Sequence, residues 1–144
     1  MMQRFRSGPL LAIKLEAGED LMSSLVQLAK EEKVEAGFVT SGIGMLRGSR
    51  VGYFIGDRYD ERTYEGPHEL LSLQGSIATR SGEPHIHLHG ALANRSHDVV
   101  GGHLFEATVH VVCEMLVTVF EGKSFKRTDS GPVLKLLDLM PDSG

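Results

Sequence analysis

Hydrophobic and polar residues alternate along most of this chain, and this pattern predicts a fold built mainly from β-strands. In residues 10–16, for example, Leu11, Ile13 and Leu15 fall on one face of an extended segment. Short sequences rich in Gly, Asp, Ser and Pro separate most of these segments and are typical of turns. The predicted strands are 10–16, 36–41, 49–55, 59–65, 69–78, 84–92, 99–105, 109–120 and 133–137.

One segment has helical periodicity instead of alternation. Apolar residues recur every three or four positions at Leu21, Leu25, Leu28 and Ala29. This spacing predicts an amphipathic helix over 21–33 that packs on the core. Asp20 stands immediately before it and is a suitable N-cap, because its carboxylate can accept hydrogen bonds from the first free backbone N–H groups.

The order of these elements predicts an α+β fold, a single domain with a mainly antiparallel sheet and one principal packed helix. The cluster at 42–44 lacks the third glycine and the lysine of phosphate-binding loops, so we interpret it as a turn between strands. We expect a single domain over 1–144, with its core at about 5–138 and a frayed tail at 140–144. A chain of 144 residues is the usual size of one domain.

Charge and cysteine content restrict the class of function. The formal net charge is −4, whereas proteins that bind duplex DNA through its phosphates usually carry a basic excess. The single cysteine, Cys113, lies in an apolar segment, so we interpret it as buried and unreactive, in a chain suited to the reducing cytoplasm. The longest apolar segment, 109–120, is shorter than a bilayer requires and is interrupted by polar residues. We therefore expect a cytoplasmic protein without a membrane segment.

Three of the seven histidines lie within five residues, at His85, His87 and His89. Alternate residues of a strand share a face, so the three imidazoles point to one side of the sheet. Two such rings can bind one divalent ion, but three on a straight strand reach a single ion with difficulty. The pattern therefore predicts a metal site that takes a further ligand from another segment. Ordinary histidines on a half-exposed strand are the alternative.

His103 is the best candidate for that further ligand. It follows Gly101 and Gly102, where the absence of side chains lets a neighbouring strand approach closely. A strand that returns across the polar turn at 94–98 would bring His103 beside His87. Three neutral imidazoles with an open coordination position are typical of a catalytic or ligand-binding metal site. Zinc or another divalent transition metal suits these ligands.

The remaining polar residues give weaker indications. Glu106 and Glu114 are candidates for carboxylates that support the metal site or for a general base, and ordinary sheet residues are the alternative. His68, His97 and His110 have no spaced partner, so we interpret them as surface or core residues. The cupin metal motif places a glutamate three or four residues after its second histidine, and residues 88–92 contain no carboxylate.

Several segments together resemble a known family. They are GEDL at 18–21, AGFVTSGIG at 36–44, LSLQGS at 71–76, PHIH at 84–87 and VVGGHL at 99–104. Their order and spacing resemble the plant and prokaryote conserved domain, and the resemblance covers roughly residues 5–138. It implies an α+β fold with a mainly antiparallel sheet and a homotrimer. It also implies a metal site at His85, His87 and His103, with the role of His89 left open.

The resemblance leaves the function open between three classes. One is a stand-alone trimer that uses its metal to bind or process a small ligand, with no reaction implied. Another is a DNA-binding or regulatory module like the plant relatives, but this chain lacks their AT-hook arm, and its net charge disfavours nucleic acid. The third is a scaffold whose trimer serves protein contacts alone. Whether the protein is an enzyme stays undetermined at this point.

Overall fold

The computed structural model describes residues 1–140, and most of them belong to one sheet and one helix. The elements follow in the order β1 Gln3–Ser7, β2 Leu10–Glu16, α1 Leu21–Glu31, β3 Gly37–Phe54, β4 Tyr59–Tyr64, β5 His68–Arg80, β6 Glu83–Ala93, β7 Val99–Val119, β8 Lys126–Ser130 and β9 Leu134–Asp138. Strands outnumber helices as the alternating pattern predicts. The prediction for the tail falls, apart from Met140, outside the described residues.

A nine-stranded sheet forms the body of the protein. The main path runs β1-β2-β7-β3-β5-β8-β9, with β4 paired to β3, and β6 paired to both β5 and β7. Within residues 1–140, all strand pairs are antiparallel except β5 with β8, which join in parallel at Thr79 and Lys126. The prediction of a mainly antiparallel sheet with one helix is confirmed.

Helix α1 packs on β6 and β7 through the apolar face that its spacing predicts. Its buried residues are Leu21, Leu25, Leu28 and Ala29. Asp20 is the N-cap and accepts a hydrogen bond of 2.8 Å from the backbone N–H of Ser23. The helix ends at Glu31, two residues before the predicted end, and Lys33 already has a left-handed backbone with φ 55°. Among residues 1–140, no helix has the length and apolar character needed to cross a bilayer.

Two predicted breaks between strands are wrong. Residues 37–54 form the single strand β3, and residues 99–119 form the single strand β7. Gly42 lies inside β3, at a position where tight packing requires glycine because there is no room for a side chain. An added Cβ would lie 2.7 Å from Cβ of Leu73. Register shifts along β3 absorb the irregularity, so its glycines mark bulges and close packing instead of a turn.

Two strands, β1 and β8, have no counterpart among the predicted elements. Four of the five residues in each are exposed, so neither strand shows the alternation that marks a half-buried segment. Strand β1 lies at one edge of the sheet, and the hairpin of β8 and β9 forms the other. This hairpin lies beside the histidine-bearing part of the sheet, where it contributes to the site below.

Candidate metal centre

Strand β6 presents its three histidines on one face. Ile86 and Leu88 between them are buried in the core, which directs His85, His87 and His89 to the other side. The prediction from strand alternation is therefore confirmed. Close contact with β5 supports this arrangement, because Gly75 lies opposite Leu88 and an added Cβ there would overlap the carbonyl group of His87.

Strand β7 brings a fourth histidine to this face. It pairs antiparallel with β6 in a register that places His103 opposite His89. The preceding Gly102 permits the approach of β3 on the other side, since an added Cβ would lie 2.6 Å from the carbonyl oxygen of Gly52. The close approach predicted from the glycine pair is thus confirmed, and so is the position of His103 beside His87, because their ring centroids are 4.7 Å apart although the backbone register pairs His103 with His89.

Three imidazoles then meet at one point. The ring centroids of His87 and His103 are 4.7 Å apart, those of His87 and His89 5.0 Å, and those of His89 and His103 5.5 Å. One ring nitrogen from each can be chosen so that all three atoms lie within 4.8 Å of one another. His87 and His103 are half-buried, and His89 is exposed. The group is therefore partly enclosed by protein at His87 and His103 and open to solvent at His89.

The spacing of two of these nitrogens, one from His87 and one from His89, fits a single metal ion. Nε2 of His87 lies 3.1 Å from Nε2 of His89. Two zinc–nitrogen bonds of about 2.0–2.1 Å at a tetrahedral angle place their nitrogens about 3.3 Å apart. Nδ1 of His103 is buried without a hydrogen-bond partner among residues 1–140, so protein contacts do not occupy that nitrogen. The donor set suits zinc and other transition metals that prefer imidazole.

Two of these histidines, His87 and His103, are held in the neutral state. Burial, together with the neighbouring His103 and Arg127, lowers the pKa of His87 to about 4. Burial also lowers the pKa of His103 to about 4, with contributions from His89 and Arg127. Both rings are therefore neutral at pH 7, and a neutral imidazole has the lone pair that a metal requires.

Arg127, at the start of the C-terminal hairpin, lies against the histidine group. Its Nη2 donates hydrogen bonds to Oγ of Ser76 at 2.6 Å and to Nδ1 of His87 at 2.9 Å. Its Nη1 donates to the carbonyl oxygen of Lys135 at 2.9 Å. The pKa of Arg127 is lowered by burial. Sequence analysis missed this residue, and the polar segment around it carries no motif that marks it.

Aromatic rings enclose the other side of His103. Phe105 stacks on it with centroids 4.2 Å apart, and Tyr59 of β4 lies at 5.0 Å. Tyr59 and Phe105 line a cavity of about 450 Å³ together with His87, His103 and Arg127. This volume lies within the usual range for small-molecule sites. The candidate centre thus has both a set of metal ligands and a space beside them.

The ligand set implied by the family resemblance is brought together in part. His87 and His103 belong to the group of three, whose third member is His89. His85 lies on the same face and lines the same cavity, but it is not part of that group. Its pKa is lowered, first by burial and then by the nearby Arg127. The assignment of His85 as a ligand therefore stays a prediction.

Neither of the two carboxylates considered from sequence faces the histidines. Glu106 is exposed and forms an ion pair of 2.7 Å with Arg50. Glu114 is exposed and lies in the distant part of β7 that pairs with Lys14 of β2. Both are sheet residues, as the alternative interpretation held. Glu61 of β4 is the carboxylate that lines the cavity, and it too is paired with Arg50, at 2.7 Å.

The other residues discussed from sequence lie outside the group. The Nδ1 atom of His68 contacts the carbonyl oxygen of Gly66 at 2.9 Å, and His97 lies in the 94–98 turn with φ 66°. His110 is exposed on β7. Cys113 is buried, and burial raises the pKa of its thiol to about 12, so it is not reactive at neutral pH.

Two comparisons of sequence bear on this centre. Residues 2–121 match the family model of the Plants and Prokaryotes Conserved (PCC) domain. The chain is also 32% identical over 92 residues to the bifunctional protein GlmU of two Synechococcus strains. That match covers 64% of this chain and 14% of the GlmU sequence, so the chain spans about a seventh of the length of these relatives.

Solved structures share the whole fold. A candidate DNA-binding protein from Ralstonia eutropha JMP134 is 28% identical with a TM-score of 0.86, over 94% of this chain and 95% of its own. A plant- and prokaryote-conserved protein from Pyrococcus horikoshii is 30% identical with a TM-score of 0.79, over 94% and 97%. A metal-containing protein from Archaeoglobus fulgidus is 30% identical with a TM-score of 0.80, over 92% and 96%.

The family match includes both strands that carry the histidine group, β6 and β7, and ends before the C-terminal hairpin. The resemblance seen in the sequence segments, the sheet with its single helix and the similarity to solved structures agree with one another. This chain therefore belongs to the Plants and Prokaryotes Conserved domain family.

Proposed function

We propose that this protein binds one divalent transition metal, zinc in the first instance, through His87, His89 and His103. The observation that carries the proposal is the convergence of one nitrogen from each ring within 4.8 Å. The proposal keeps His87 and His103 from the family-based set and replaces His85 by His89, because His85 lies outside the convergent group. A cytoplasmic location, expected from the single cysteine, is part of the same proposal.

The function that this centre supports best is the binding or processing of a small ligand beside the metal. A metal ion bound by three imidazoles would keep one coordination position open for a ligand. It would supply positive charge and Lewis acidity at that position. The chain contributes neutral histidines, a guanidinium at Arg127 and the cavity lined by Tyr59 and Phe105. The description of the Archaeoglobus relative as metal-containing supports a metal in this family.

Metal uptake tests the proposal directly. Chelator-treated protein would be loaded with zinc, desalted and analysed by plasma mass spectrometry. We expect about one zinc per chain for the wild type and less than roughly a tenth of that for the double variant H87Q/H103Q. H97Q is the matched control, since His97 lies in the surface turn and should leave the zinc content unchanged. A wild-type protein that retains no zinc would refute the site.

We also propose that the protein assembles as a homotrimer, as the family resemblance implies. Support comes from a shallow cleft lined by Ile43, Leu71 and Val111, which are 55%, 48% and 58% exposed. Apolar side chains grouped in this way favour contact with another protein surface. Light scattering should give about three times the chain mass of 15.7 kDa for the wild type. L71E should dissociate it, whereas F5E, on the exposed edge strand, should not.

DNA binding is the alternative function, and the description of the Ralstonia relative favours it. The surface gives it less support, because many basic groups already pair with carboxylates, including Arg50 with Glu106 and Arg80 with Asp129. Phosphate contacts would have to displace these partners. Affinity for a duplex that falls steeply with salt would support this function. Absence of duplex binding at low salt would exclude it.

A further inference from the structure

Arg127 carries a positive charge with no acidic partner. Within residues 1–140, it is the one arginine that is half-buried and lacks a carboxylate within 4.0 Å. Its acceptors are the hydroxyl of Ser76, the carbonyl of Lys135 and a ring nitrogen of His87, all of them neutral at pH 7. Its Nε is buried and has no acceptor in this part of the chain.

A half-buried guanidinium without an acidic partner loses part of its hydration, and an anion beside it would offset that loss. Among the described residues, the one acidic side chain on the cavity wall is Glu61, and it is already paired with Arg50 at 2.7 Å. Burial lowers the pKa of Arg127, which is the expected sign for a guanidinium that water solvates poorly. An anion that neutralises the guanidinium of Arg127 would therefore have to come from outside the described residues.

The cavity beside Arg127 indicates what kind of anion would fit. Its volume is about 450 Å³, and its walls include Met22, Tyr59, Phe105, Leu134 and Leu136. A free inorganic anion would leave most of this apolar surface without a partner. A small molecule with an apolar body would cover it, and a charged group at one end would meet the guanidinium.

We propose that this cavity binds the carboxylate of a small, largely apolar molecule, with Arg127 as its counter-ion. A guanidinium can donate two parallel hydrogen bonds to one carboxylate, which fixes the ligand's orientation as well as its charge. The proposal rests on the metal site to the extent that a divalent ion on the histidines would add to the same positive potential. Arg127 lies after residues 2–121, which match the family model, so the selectivity for a carboxylate would come from the C-terminal hairpin.

Calorimetric titration of the zinc-loaded protein tests the proposal with benzoate, its neutral isostere benzamide and inorganic phosphate as probes. We expect benzoate to bind at least about tenfold more tightly than either of the others. R127Q should lose this preference, while K126Q should retain it. Lys126 is the matched control because it precedes Arg127 on the same strand, carries the same charge and is exposed. R127K, which keeps the charge without the planar fork, should bind benzoate with intermediate affinity.

Zinc content measured on the same samples separates this proposal from the metal site. Equal binding of benzoate and benzamide, stronger binding of phosphate, or unchanged benzoate affinity in folded R127Q and R127K would each overturn the anion site. Absence of benzoate binding by the wild type at millimolar concentration would do the same. If the wild type holds no zinc, the metal proposal fails. An Arg127-dependent preference for benzoate in that metal-free protein would still support the anion site.

Discussion

Nη2 of Arg127 lies 2.9 Å from Nδ1 of His87, although the two residues are 40 positions apart. A guanidinium can only donate hydrogen bonds, so Nδ1 must be the acceptor. The proton of the neutral ring is therefore on Nε2, the atom that lies 3.1 Å from Nε2 of His89. A metal that uses Nε2 requires this proton to move to Nδ1, where it would face Arg127. The contact thus stabilises the metal-free form of His87.

This relationship predicts that R127Q binds zinc more tightly than the wild type, by roughly tenfold. The glutamine removes a positive charge beside the site, and its carbonyl oxygen can accept a hydrogen bond from Nδ1–H of His87. Competition against a chromophoric chelator would measure the zinc dissociation constant, with K126Q as the control. Weaker zinc binding by R127Q would mean that Arg127 supports the metal-bound state instead.

The lowered pKa values of His87 and His103, both to about 4, predict a loss of stability in acid. Between pH 6.5, the ordinary value for histidine, and pH 4, the unfolded chain binds protons that the folded chain does not. Stability therefore rises with pH across this window and is lost as pH falls towards 4. Thermal unfolding of the metal-free protein should show a Tm that decreases as the pH is lowered from 6.5 to 4.

The contribution of the histidines can be separated by mutation. H103Q should show a smaller decrease in Tm between pH 6.5 and pH 4 than the wild type, because one of the two titrating groups is gone. H110Q is the control, since His110 is exposed on the same strand. An unchanged decrease in H103Q would show that other groups cause the acid sensitivity.

Gly75 predicts a packing effect on the strand that carries the histidines. An added Cβ would overlap the carbonyl of His87, so G75A must separate β5 from β6 locally. We expect a loss of about 1–3 kcal/mol in the free energy of unfolding. Urea denaturation would measure it, with G66A as the control because nothing lies within 4 Å of a Cβ at Gly66. A G75A protein as stable as G66A would contradict the close packing.

The sequence was sufficient for features that depend on local periodicity. The four apolar positions of α1 recur at helical spacing and are all buried. The face shared by the β6 histidines follows in the same way, because alternation decides which side of a strand a residue occupies. Asp20 as N-cap and the buried Cys113 were likewise predictable from their neighbours.

Features that depend on contacts between distant segments were not predictable. The register of β6 and β7 places His103 across from His89, and no local pattern distinguishes this from a register shifted by two residues. Arg127 was missed because β8 is an exposed strand without alternation, and its contact with His87 joins residues 40 positions apart. The glycines of β3 suggested a turn because their role in close packing is visible only in three dimensions.

The choice between His89 and His85 tests the central claim most directly. Zinc dissociation constants would be measured by chelator competition for the wild type, H89Q and H85Q. Because His89 belongs to the convergent group and His85 does not, H89Q should weaken zinc binding by roughly a hundredfold and H85Q by no more than about threefold. Strong zinc binding by H89Q, together with its loss in H85Q, would contradict the proposed site.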